Sequence, residues 1–163
     1  MKGYSFKEYN KENMARALGS ALPISFKQSV EICSFIKNKS AADAKKILGN
    51  VVEKKSAIPF TRFNFDLSHK KKIGPGRYPE KASKEFIRLI EDVEANAQFK
   101  GMNTSKLVIS HISAHKASKS WHYGRKTRRK MKRTNVEIVV VEDRKSDKKS
   151  SDKKPVDETK KEK

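Results

Sequence analysis

The chain has 163 residues, of which 39 are Lys or Arg and 19 are Asp or Glu, so its formal net charge is +20. Its single cysteine, Cys33, excludes a disulfide framework and a cysteine-built zinc site. No segment approaches the run of about 20 apolar residues that a membrane span needs, and the N-terminus lacks the apolar stretch of a signal peptide. We therefore expect a soluble cytosolic protein whose excess charge is neutralised by a polyanion.

The first third of the chain predicts one strand followed by two helices. Residues 13–22 alternate loosely between apolar and polar side chains, which is typical of a strand. Ser25 and Gln28 have the spacing of a capping box and predict the start of the first helix, and Ser40 predicts the start of the second. The apolar stripes expected to face the core are Phe26, Val30, Cys33 and Ile36 in the first helix, and Ala44, Ile47, Leu48, Val51 and Val52 in the second.

Residues 56–78 are predicted to form a long loop. A loop of this length is uncommon inside a compact domain unless it is functional or is ordered by an external partner. It carries a basic cluster that continues into the following helix. The candidate contacts to a polyanion in this region are His69, Lys70, Lys71, Lys72, Arg77 and Lys81.

A third helix is predicted between Pro79, which suits a first turn, and Gly101, which suits the position just past a helix end. Its apolar residues recur at helical spacing and are expected to face the core: Phe86, Leu89, Ile90, Val93 and Ala97. Its carboxylates make it a poor candidate for a surface that faces anions: Glu85, Glu91, Asp92 and Glu94.

The last third predicts two antiparallel strands, over residues 106–114 and 136–141, joined by a segment far longer than a tight turn needs. We interpret residues 111–138 as a β-hairpin that protrudes from the domain. Residues 116–133 contain nine basic residues, no acidic one and three interleaved rings, a composition that suits phosphates and unpaired RNA bases. A solvated loop or a basic localisation signal has a similar composition. The candidate RNA contacts are His115, Lys116, Lys119, Trp121, His122, Tyr123, Arg125, Lys126, Arg128, Arg129, Lys130, Lys132 and Arg133.

The sequence predicts neither a metal or cofactor site nor a catalytic set. His111 and His115 lie four residues apart in a predicted strand, which separates them by about 13 Å and prevents them from sharing a metal directly. Residues 74–76 do not have the pattern of a phosphate-binding loop. Cys33 lies on the apolar stripe of the first helix, so we expect a buried, unreactive thiol rather than a nucleophile. We therefore predict that the protein is not an enzyme.

Residues 74–86 read Gly-Pro-Gly-Arg-Tyr-Pro-Glu-Lys-Ala-Ser-Lys-Glu-Phe, and this run closely resembles a signature of one ribosomal protein family. The family is large ribosomal subunit protein twenty-two, in its archaeal and eukaryotic branch. Ser-Phe-Lys at residues 25–27, the valine-rich residues 136–141 and Ile-Ser-Ala-His-Lys at residues 112–116 agree with it. The resemblance covers roughly residues 12–142.

The resemblance implies an α+β fold, in which a small three-stranded antiparallel sheet packs with three helices and carries a long protruding β-hairpin. It also implies a structural constituent of the large ribosomal subunit that binds ribosomal RNA and supports subunit assembly. The globular part would lie near the nascent-chain exit, and the hairpin tip would line the polypeptide exit tunnel. The implied partners are large-subunit ribosomal RNA, neighbouring large-subunit proteins and the nascent polypeptide. The tip residues carried over in this way are Gly124, Arg125, Lys126, Thr127, Arg128 and Arg129.

We expect residues 1–142 to form the RNA-binding domain and residues 143–163 to form a disordered tail, because the tail has nine basic and six acidic residues and almost nothing to bury. Two other functions are compatible with the charge. A general nucleic-acid chaperone or nucleoid-type protein would bind DNA and RNA comparably, and an RNA-processing enzyme using His115 and a lysine would cleave RNA.

Overall fold

The computed structural model describes residues 3–142. It contains three α-helices, a main three-stranded sheet and a second, smaller three-stranded sheet. The elements in chain order are β1 (Met14–Leu22), α1 (Phe26–Ile36), α2 (Ala41–Val52), β2 (Ile58–Pro59), β3 (His69–Lys70), β4 (Gly74–Arg77), α3 (Glu80–Phe99), β5 (Leu107–Lys116) and β6 (Thr134–Glu142).

The main sheet has the order β1-β6-β5, and both pairings are antiparallel. Val136, Ile138 and Val140 alternate along the central strand β6 and are at most 1% exposed, because α3 packs over β1 while α1 packs on β5. This arrangement confirms the predicted α+β fold, with a three-stranded antiparallel sheet, three helices and a hairpin between β5 and β6.

The start of α1 differs from the predicted capping box. Ser25 occupies the N-cap position, but its side chain makes no capping hydrogen bond. The buried face is also rotated relative to the predicted stripe: its core includes Ile32, Cys33 and Ile36, whereas Phe26 and Val30 are only half-buried. The sequence shows two overlapping apolar stripes, and packing against β5 selects the one that contains Ile32.

The other two helices follow the predictions closely. Ser40 caps α2 by accepting a hydrogen bond from the Asp43 amide at 3.0 Å. Ala44, Leu48 and Val51 are buried, while Ile47 and Val52 are half-buried. In α3 all five predicted core residues are buried, Pro79 precedes the first turn, and Gly101 follows the helix end with φ +74°.

Residues 56–78 are not a long irregular loop as predicted. Strands β2, β4 and β3 pair in that order into the second sheet. Two of these strands have only two residues each, so their pairing leaves no periodicity in the sequence. Gly76 in β4 is buried, and a Cβ there would lie 3.1 Å from the carbonyl oxygen of Ile58 in β2. The close approach of β2 and β4 therefore favours glycine at this position.

The N-terminal segment covers the face of the main sheet that lies away from the helices. Ser5 donates two hydrogen bonds to the Glu137 carboxylate in β6, one from its amide at 2.8 Å and one from its hydroxyl. The Phe6 ring lies 4.7 Å from the His111 ring, centroid to centroid. The guanidinium of Arg16 in β1 lies about 4 Å from the rings of Tyr4 and Tyr9. The sequence pattern does not predict this layer.

Glu137 is only 2% exposed, yet it is stabilised in its ionised form. Burial alone raises its pKa, but hydrogen bonds from Ser5, His111 and Ser113 outweigh burial, and the pKa lies below its ordinary value. The His111 ring nitrogen is 3.0 Å from Glu137 Oε1, and the Ser113 hydroxyl donates to the same oxygen at 3.1 Å.

No helix among residues 3–142 is both long and apolar enough to cross a membrane. The predicted disordered tail, residues 143–163, lies outside the described residues.

Candidate nucleic-acid interface

The hairpin between β5 and β6 continues beyond the end of the regular sheet. The paired strands reach Lys116 and Thr134, and the arms remain connected through an isolated bridge between Trp121 and Lys130. Further out, the His122 amide donates to the Arg129 carbonyl at 2.9 Å. The chain therefore reverses well away from the sheet, in a 3-10 turn over Gly124–Lys126.

The outer hairpin presents its charges to solvent. Trp121 and Tyr123 are 58% and 86% exposed. The ammonium group of Lys130 lies 4.5 Å from the Trp121 ring centroid, a cation–π contact that leaves the residue more than half exposed. The exposed basic residues from the turn to the bridge are Arg125, Lys126, Arg128, Arg129 and Lys130.

At the base of the hairpin, the β5 and β6 arms face the start of α1 and the segment 60–65 across a groove of about 650 Å³, which we call the basic groove. Seven of its lining residues are cations, and none is acidic. The cations are Lys27, Arg62, Arg77, Lys116, Lys119, Lys132 and Arg133. Seven positive charges around one groove repel each other unless an anion lies among them, so this groove is the strongest candidate site for a polyanion among residues 3–142.

The structure brings some of the predicted RNA contacts together and leaves others apart. Five of them line the basic groove: Arg77, Lys116, Lys119, Lys132 and Arg133. His69 and Lys70 form β3, Lys71 and Lys72 lie in the turn before β4, and Lys81 is exposed in the first turn of α3. These five residues and the hairpin tip are not part of the groove.

Sequence reasoning missed Lys27 and Arg62 as members of the site. Each is an isolated cation in the sequence, and only the fold brings it to the hairpin base. The segment that carries Arg62 is fixed by Glu31 in α1, which is 2% exposed. Its carboxylate accepts hydrogen bonds from three consecutive amides, those of Thr61 at 3.1 Å, Arg62 at 2.9 Å and Phe63 at 2.7 Å. The available signal in the sequence was a glutamate, Glu31, directly before the apolar residues Ile32 and Cys33 of α1.

Two of the four histidines, His111 and His115, have structural partners. His115 Nε2 lies 2.9 Å from the Ser113 hydroxyl and 3.3 Å from the Ser5 hydroxyl, so the predicted RNA contact His115 belongs to the network around Glu137. Among residues 3–142, no group of three or more His, Cys, Asp or Glu side chains could hold a metal ion. Burial raises the pKa of Cys33 to about 12, so its thiol is held in the protonated, weakly nucleophilic form at neutral pH.

The fold and the basic groove define a small α+β protein with one strongly basic side. Comparison with known proteins gives the family: the model of ribosomal protein L22p/L17e matches residues 17–141. A relative in Picrophilus torridus, named large ribosomal subunit protein uL22, is 44% identical over 87% of this chain and 97% of its own length. Proteins of the same name in Archaeoglobus fulgidus and Nanoarchaeum equitans are 40% and 41% identical, over 84% and 82% of this chain and 94% and 81% of their own lengths.

This chain belongs to the ribosomal protein L22p/L17e family. The resemblance seen in residues 74–86 is therefore confirmed. Membership makes the chain a structural protein of the large ribosomal subunit, in agreement with the predicted function class and location.

Proposed function

We propose that this protein binds large-subunit ribosomal RNA with the side of the molecule formed by the basic groove and the hairpin, and that it supports assembly of the subunit. The observation that carries the proposal is the separation of charge between this groove and α3. The groove has seven cations and no acid, whereas α3 carries five acidic residues against three basic ones. RNA bound at the groove is held by phosphate contacts, which supply most of the affinity of such interfaces.

The remaining predicted contacts extend this interface in two directions. The turn over residues 71–73 and the exposed Lys81 would contact phosphates beside the globular body, and the aromatic side chains of the hairpin would stack on unpaired bases. The hairpin tip, residues 124–129, would line the polypeptide exit tunnel while the body lies near its outer end. Neighbouring large-subunit proteins and the nascent polypeptide are the further partners in this proposal.

Co-sedimentation with large subunits in a salt gradient tests the RNA-binding part. We expect the tagged wild-type chain to remain with the subunit, and the triple variant Lys116→Glu/Lys119→Glu/Lys132→Glu to dissociate at lower salt because all three cations line the groove. The matched control is Lys37→Glu/Lys46→Glu/Lys84→Glu, which changes the net charge equally at exposed positions in or beside helices and away from the groove. Recovery of the wild type only in the free fraction, or equal behaviour of the two variants, would contradict the proposal.

A photo-crosslinking residue at Arg128 tests the placement of the tip. We expect crosslinks to a stalled nascent chain from this position, and none from the same residue at Lys84 in α3. A tip that crosslinks only to ribosomal RNA would contradict the tunnel placement. The general nucleic-acid chaperone is the alternative, and comparable affinity of the pure chain for DNA and ribosomal RNA would favour it.

A further inference from the structure

The basic groove contains more than charge, because phenylalanine side chains are interspersed with its cations. Four phenylalanines line it: Phe26, Phe60, Phe63 and Phe65. Phe60 is buried and Phe63 is half-buried, but Phe65 is 87% exposed. A groove that only bound phosphates would have no use for an exposed aromatic ring among its cations, since phosphate contacts need donors and positive charge.

The cations and rings of the groove are already in contact with each other. Phe26 and Phe63 meet edge to face, with centroids 6.5 Å apart. The Lys27 ammonium and the Arg62 guanidinium both lie 5.5 Å from the Phe63 centroid. From the opposite side, the Lys116 ammonium lies 5.6 Å from the Phe26 centroid. The groove therefore offers apolar ring surface within reach of phosphate-binding groups on both of its walls.

The wall that carries the rings is held in place before any ligand binds. Glu31 fixes the amides of residues 61–63, and the Phe60 amide donates to the Pro75 carbonyl of the small sheet at 2.9 Å. A preorganised wall loses little conformational freedom on binding, which favours affinity. The volume, about 650 Å³, lies within the range of sites that enclose one small ligand.

We infer that the basic groove binds one unpaired nucleotide of RNA, with its base stacked on Phe65 and its flanking phosphates held by the cations of the hairpin base. This inference rests on the proposed function and specifies the form of RNA that the groove takes. Stacking on an exposed ring requires a base face that is free, and a paired base inside a helix does not offer one. The groove would therefore anchor the protein at a bulge, loop or junction of the RNA rather than along a regular helix.

A photo-crosslinking assay with the full chain tests the inference. The probe is a ten-nucleotide oligouridine RNA that carries one 5-iodouridine, used below saturation, either alone or annealed to its complement. Trypsin cuts after Arg62 and Lys70, so a crosslink to Phe65 appears on the peptide of residues 63–70, and fragmentation of that peptide separates it from a crosslink to His69 outside the groove. Phe65→Ala is compared with Phe99→Ala, because Phe99 is 94% exposed at the end of α3 and neither variant removes a buried side chain.

We expect the single strand to crosslink to the peptide of residues 63–70 and the duplex to leave it unlabelled. Phe65→Ala should reduce the affinity reported by this crosslink about 5- to 150-fold, the range found when a base-stacking aromatic is removed, whereas Phe99→Ala should have no effect. Because Phe65 carries no charge, the salt dependence of binding should not change.

Three results would overturn the inference while leaving the proposed function intact: unchanged labelling in Phe65→Ala, equal labelling by single strand and duplex, or displacement of the RNA from this peptide by polyglutamate of equal charge. The first two would mean that the groove contacts phosphates only, and the third would favour an acidic protein as its occupant. A wild-type chain that neither binds these RNAs nor sediments with large subunits would overturn the proposed function and this inference together.

Discussion

Glu31 connects the interior of the protein to the basic groove, and its replacement by alanine should loosen the groove wall. The carboxylate is buried in α1 and accepts from three consecutive amides of the segment that precedes Phe65. In the Glu31→Ala variant these amides lose their acceptor, and the Thr61 hydroxyl, at 3.3 Å, loses the same partner. Water can replace part of this bonding because Thr61 and Arg62 are exposed, but it cannot fix the direction of the segment.

The magnitude follows from the number of hydrogen bonds. A hydrogen bond to a charged group contributes about 1.5–3 kcal/mol when its loss is not compensated. With water replacing about half of each amide bond, the three amides together cost about 3 kcal/mol. For a domain of this size, the melting temperature should fall by roughly 10–15 °C. Glu31→Gln retains one acceptor oxygen, so its cost should lie between those of the wild type and Glu31→Ala.

Urea denaturation of the full chain, followed by circular dichroism, measures the free energy of unfolding. Glu91→Ala is the control, because it removes an exposed carboxylate from α3 and changes the charge equally. Affinity for ribosomal RNA should also fall in Glu31→Ala at temperatures where the variant remains folded. If Glu31→Ala and Glu91→Ala differ by less than about 0.5 kcal/mol, the carboxylate does not hold the segment and the reasoning fails.

Three further predictions concern separate parts of the molecule. Replacing Lys70, Lys71 and Lys72 by Glu should weaken RNA binding. The slope of log binding constant against log salt concentration should fall in magnitude by about 0.7–0.9 for each phosphate that is no longer neutralised. An unchanged slope would show that this turn does not touch phosphate. The pKa of Glu137 is lowered by folding, so its contribution to stability is present above its ordinary value of 4.5 and disappears as the pH falls through the lowered value. Urea titrations from pH 6 to pH 3 should accordingly show a smaller loss of stability on acidification in Glu137→Gln than in the wild type, and parallel curves would contradict the assignment. At pH 8 iodoacetamide should alkylate Cys33 at least about 100-fold more slowly in the native protein than in urea, because the buried thiol has a pKa of about 12. Equal rates in the two states would show that folding does not protect this thiol.

Elements with long, regular patterns could be predicted from the sequence. The 20-residue helix α3 repeats its apolar positions over several turns, and all five of its predicted core residues are buried. The valine-rich β6 was also predicted, because β-branched residues fill it almost throughout. The small sheet was missed because β2 and β3 each have two residues, and their pairing depends on contacts with β4 rather than on a local pattern.

For the candidate site, the sequence showed where basic residues are concentrated, but it did not show which distant residues the fold brings together with them. Lys116, Lys119 and Lys132 were predicted because they lie in a run with no acidic residue. Lys27 and Arg62 have no such neighbours. They meet at the groove because the Glu31 carboxylate ties α1, which carries Lys27, to the segment that carries Arg62. The position of a solitary cation is decided by tertiary contacts, which no local window of sequence contains.

The central position of β6 has a consequence for how the chain is made. This strand is the last element of the described chain, yet β1 and β5 both pair with it, and Ser5 bonds to Glu137 across 132 positions. During synthesis the first strand must therefore wait, unpaired, until nearly the whole domain has emerged. Folds that depend on such distant pairings form slowly, and their incomplete states expose apolar surface. A newly made copy of this highly charged chain would spend that interval able to associate with any polyanion nearby. Its timely delivery to the large subunit is therefore a kinetic problem set by its topology.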